Sequence, residues 1–129
     1  MLQQLLFEPS LVRSPLRIVQ WWERRRLAYN AVVGVLGLGS LGYAMFVSYL
    51  ARGAVPTGVW QLALAYGLAA NVCYTLGPAT EILADRWLKR PLYGLGPALF
   101  RHGLVFSIGL TLFPAAMVTF FAIAGWFFR

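Results

Sequence analysis

The sequence predicts an all-α integral membrane protein. It reads as three transmembrane helices, an N-terminal amphipathic interfacial helix, and a short cytoplasmic interfacial helix between spans 2 and 3. Three observations carry this. Apolar residues are 60% of the 129 and charged residues only 12%, where soluble domains carry about 25% charge. Three stretches lack any charged residue: 25 residues from Leu27 to Ala51, 28 from Gly53 to Thr80 and 26 from Gly103 to Phe128. About 20 apolar residues cross the ~30 Å hydrocarbon core as a helix. Finally, nine of the eleven basic residues fall in segments 1–26 and 81–102, which three spans place on one side. This composition excludes a disordered chain, a coiled coil, a disulfide scaffold and an ordinary soluble enzyme domain.

The elements follow in order as one membrane domain. Segment 1–26 is cytoplasmic or interfacial. Glu8, Pro9 and Ser10 interrupt it, so it does not read as a signal peptide. Ser14-Pro15 has the form of a helix start, Ser as N-cap and Pro at the first helical position. Beyond it, Ile18, Val19 and Trp22 share one face and Arg17, Gln20 and Arg24 the other, the pattern of an interfacial helix. The first span is 27–50 and the second 58–77. Segment 78–103 returns to the cytoplasmic side. There Leu76-Gly77-Pro78-Ala79 recurs as Leu95-Gly96-Pro97-Ala98, and Gly-Pro can end one element and start a helix. An interfacial helix is expected from about Ala79 to Arg90, then a turn through Gly96. Pro78 could instead kink a continuous second helix. The third span is 104–128.

The positive-inside rule puts the N-terminus in the cytoplasm and the C-terminus outside, in a multi-pass arrangement suited to a bacterial cytoplasmic (inner) membrane. The net charge of +7 then reads as topology and as attraction to anionic lipid headgroups. It does not call for nucleic acid. Membrane lipids and other membrane subunits, or further copies of the chain, are the expected partners.

Helix packing in lipid relies on small residues and interhelical hydrogen bonds. Gly34, Gly37 and Ala44 in the first span, and Ala65 and Ala69 in the second, are the expected packing positions. Polar residues gather at the cytoplasmic ends: Tyr29, Asn30, Asn71, Tyr74, Glu81 and Arg101. A buried amide needs a bonding partner, so Asn71 is expected to bond across to Asn30 or Tyr29, and Arg101 to neutralise Glu81. The cluster reads as a lock on the helix ends, with a ligand pocket or partner contact as alternatives.

Signs of catalysis are scarce. Cys73 is the one cysteine and His102 the one histidine, and no span contains Lys or a central carboxylate. No catalytic or metal site is expected, nor a resident cofactor beyond bound lipid. The chain therefore reads as a non-enzymatic accessory subunit of a larger membrane complex or a homo-oligomeric scaffold. An oligomeric transporter or channel protomer is the alternative, although a pore needs polar residues through the full membrane depth. A pigment- or haem-binding subunit ligated by His102 is a second alternative.

Overall fold

The computed structural model describes residues 14–55, 57–88 and 92–127, and 92% of it is helical. Helix α1 spans Pro15–Arg52, α2 Val59–Leu88 and α3 Leu95–Phe127. All three are long and apolar enough to cross a membrane. The protein is a multi-pass membrane protein. At 38, 30 and 33 residues, the helices are about 57, 45 and 50 Å long. Each outruns the ~30 Å hydrocarbon core.

Helix α1 starts as its sequence predicts. Ser14 is the N-cap, its hydroxyl accepts from Arg17 N at 3.3 Å, and Pro15 opens the helix. It ends at Gly53, whose φ of 70° is left-handed, a conformation glycine adopts without steric cost. A short connection through Gly58, φ 79°, leads to α2.

Two expected elements are not separate. The interfacial segment before residue 27 is continuous with the first span. The reason lies in its packing: Ile18, Trp22, Arg25, Tyr29 and Val33 form one buried stripe, and that stripe crosses the expected boundary without a break. Likewise, the helix expected from Ala79 is the end of α2, which runs through Pro78 to Leu88; Lys89 and Arg90 lie outside the described residues. A proline removes one backbone bond, a loss that packed membrane helices accommodate. Pro78 itself is buried. The turn falls at Tyr93-Gly94, and α3 begins at Leu95, two residues before Pro97. Asp85 Oδ1 accepts from Leu92 N at 3.2 Å and ties the turn to α2.

Helix α3 packs mainly on α1. The core is largely aromatic and sits at the arginine-rich end: Ile18, Trp22, Tyr29, Val33, Tyr74 and Phe100. Farther from that end, α1 and α2 stand apart and leave a groove.

Candidate functional site

Three buried groups meet where the helices converge. Trp22 of α1 donates its indole N–H to Glu81 Oε2 of α2 at 2.8 Å. Tyr74, two turns before Glu81, donates its hydroxyl to the Trp22 carbonyl at 2.6 Å. Rings surround these bonds: Trp22 stands edge-on to Tyr74 at 5.4 Å and to Phe100 of α3 at 6.0 Å. Edge-to-face pairs at this spacing add about 0.5–1.5 kcal/mol beyond their area.

Two glycines make the room. A Cβ on Gly77 would collide with the Trp22 ring, and one on Gly96 would stand 2.5 Å from Glu81 Oε2. These are the two glycines of the repeated Leu-Gly-Pro-Ala run. The second copy opens α3, as Gly-Pro chemistry predicts, while the first lies inside α2; what the two share is a glycine that admits the Trp22–Glu81 pair. Gly96 also lies in the first turn of α3, so the Glu81 carboxylate sits at a helix N-terminus, where negative charge is favoured.

Hydroxyl bonds continue towards the membrane middle. Tyr29 shares a hydrogen bond with Ser107 at 2.8 Å. Tyr66 pairs with Thr111 at 2.6 Å, and Thr111 also donates to Ser107 O at 2.6 Å. Farther along, Tyr43 pairs with Thr119 at 2.9 Å. Sequence reasoning missed Trp22, Tyr66, Ser107 and Thr111. The available signal was a stripe of hydroxyl residues at helical spacing on the third span.

The expected cluster divides. Tyr29, Tyr74 and Glu81 are buried together. Asn71 does not bond to the first helix: its Nδ2 donates to Gly67 O of its own helix at 3.1 Å. Tyr29 turns instead to α3, and the Asn30 side chain makes no hydrogen bond among the described residues. Arg101 is exposed and forms no ion pair among the described residues, so it does not neutralise Glu81. His102 is exposed, with Nδ1 2.8 Å from Ala98 O. Among the described residues no three of His, Cys, Asp and Glu gather as a metal set.

The expected packing positions lie apart from this buried cluster. Ala65 and Ala69 lie on the outside of α2, while Tyr66, Ala70 and Tyr74 face inward. The tyrosine hydroxyls need partners in the bundle, and this sets the rotation of α2 ahead of its small-residue pattern. Gly37 touches Thr111 in ordinary contact, but a Cβ on Gly34 would meet nothing within 4 Å. Gly34, Gly37 and Ala44 line the open groove between α1 and α2.

Comparison with known proteins finds no matching family model, no curated relative and no solved structure.

Proposed function

We propose that the chain is a non-enzymatic membrane subunit that acts by assembling in the bilayer, with copies of itself or with other membrane proteins. Its N-terminus is cytoplasmic and its C-terminus exported, from the distribution of basic residues. The Trp22–Glu81–Tyr74 cluster is the lock that holds the three helices in register. Its polar atoms bond to other helices of the same chain, which favours a structural role over a catalytic one.

The observation that carries the assembly reading is the outward placement of small residues. Gly39, Gly42, Gly103 and Gly109 are exposed, and a Cβ on any of them would meet nothing within 4 Å. Glycine within a helix costs about 1 kcal/mol relative to alanine. Facing lipid, that cost brings no return; facing another helix, it permits close approach. The mass of the particle in native nanodiscs tests this. Several chains per particle, or a co-purifying membrane protein, is the expected result. A lone 14.4 kDa chain at every protein concentration overturns it.

A further inference from the structure

The groove between α1 and α2 encloses about 590 Å³. Gly34 and Gly37 of α1 and Ala63 and Gly67 of α2 line it among larger apolar side chains, with Leu110 and Thr111 of α3. It is long, running from Asn30 and Asn71 at one end to Ser48 and Val59 at the other. That volume lies within the 300–1,000 Å³ range of small-ligand pockets.

The two amides lie at one end. Asn30 and Asn71 close the groove there, the Asn30 amide unbonded among the described residues and the Asn71 amide oxygen free to accept. One turn beyond, the Arg26 guanidinium bridges from α1 to the Tyr74 ring of α2, 5.2 Å from its centroid. Arg26 pairs with Glu23 at 2.8 Å. Its Nε is nevertheless buried without a hydrogen-bond partner, one of two such side-chain atoms among the described residues. The other is the Ser40 hydroxyl, which lines the groove. Arg24 lies between Glu23 and Arg26 in the sequence and is exposed, while Arg25 is buried with its guanidinium over the Trp21 ring. From Asn30 to Ser40 is ten residues, about 15 Å, half of the ~30 Å hydrocarbon core.

We propose that this groove binds an anionic phospholipid from the leaflet at the arginine-rich end. The phosphate rests on Arg26, an ester carbonyl accepts from the Asn30 amide, and one acyl chain lies along the glycine wall as far as Ser40. The pattern of cation, then amide, then apolar trough matches the order of phosphate, ester and chain in such a lipid. Basic pockets between membrane helices select anionic headgroups in this way. The inference is independent of the assembly proposed above.

The test uses the full chain, reconstituted in phosphatidylcholine vesicles containing a minority of phosphatidylglycerol. It is then extracted in mild detergent and weighed by native mass spectrometry. One retained phosphatidylglycerol per chain is expected. Gly34→Leu places a side chain in the trough, where a Cβ has open space, so helix content and melting should hold while retention falls about tenfold. Arg26→Gln should retain lipid but lose the preference for phosphatidylglycerol. Three outcomes overturn the proposal: no lipid on the wild-type chain, equal retention in Gly34→Leu, or retention blind to the headgroup. The same spectra count chains per particle, so an oligomer without lipid refutes the groove assignment and leaves the assembly reading standing.

Discussion

Trp22 and Glu81 are joined by a hydrogen bond of 2.8 Å across 59 positions of sequence, and each is enclosed by a glycine of the helix it approaches. Trp22 lies against Gly77 of α2, and Glu81 against Gly96 of α3. One bond therefore fastens all three helices. Both side chains are buried, at 3% and 5% exposure, so the indole N–H finds in the carboxylate the acceptor that water does not supply. A hydrogen bond to a charged group in such a setting contributes about 1.5–3 kcal/mol.

Trp22→Phe keeps most of the ring and removes the donor. It should destabilise the chain by about 1.5–3 kcal/mol, because the carboxylate stays buried with one donor fewer. Glu81→Gln keeps an acceptor and should lose less. In the double variant the losses should not add, with a coupling of about 0.5–3 kcal/mol. Thermal unfolding in detergent reads all three. Additive losses would mean that the two residues act separately.

The glycines should sort by contact rather than by span. Gly77→Ala and Gly96→Ala force a methyl group against Trp22 and Glu81, and overpacking of this kind costs about 1–3 kcal/mol. Gly39→Ala, with open space at its Cβ, should be neutral to the bundle or gain up to about 1 kcal/mol of helix propensity. Melting temperatures of the three variants, measured below the concentration at which particles assemble, give the comparison. A Gly77→Ala chain as stable as wild type would remove Gly77 from the lock.

The contrast between these glycines shows what local rules could and could not reveal. The three spans were legible because hydrophobic length is a property of one segment at a time, and Ser14-Pro15 was legible because a helix cap is local. Pro78 was ambiguous: a proline is as compatible with an ended helix as with a continued one until its surroundings are known. Continuing α2 through Pro78 is what carries Glu81 to Trp22, so leaving the break open hid the pair. The rotation of α2 misled for a related reason. Ala65, Ala69 and Cys73 form a small stripe, but three-dimensional demand from Tyr66 and Tyr74 placed the adjoining face inward.

The hydroxyl bonds in the middle of the bundle should be individually modest. Tyr66→Phe loses the bond to Thr111 at 2.6 Å, and Tyr29→Phe the bond to Ser107 at 2.8 Å. Interhelical hydrogen bonds in membranes average about 0.6 kcal/mol and reach about 1.7. Each variant should therefore fold, with a small fall in stability. Detergent-denaturation curves check this, and the loss of the folded state in either variant would show that these hydroxyls do more than join helices.

Asn71 supplies the sharpest test of which polar residues hold the bundle. Its amide donates within α2 to Gly67 O at 3.1 Å, and a side chain bonded to its own helix contributes little to joining two helices. Tyr74, three residues on, donates instead across to Trp22 O at 2.6 Å. Asn71→Leu should accordingly leave stability within about 0.5 kcal/mol, the range of substitutions away from packed features. Tyr74→Phe should cost about 0.5–1.5 kcal/mol, the net value of a neutral hydrogen bond. The order of the two effects is what unfolding measurements must decide. If Asn71→Leu proves the more damaging, Asn71 bonds across the bundle after all, and α2 is rotated from the position that brings Tyr74 and Glu81 to Trp22.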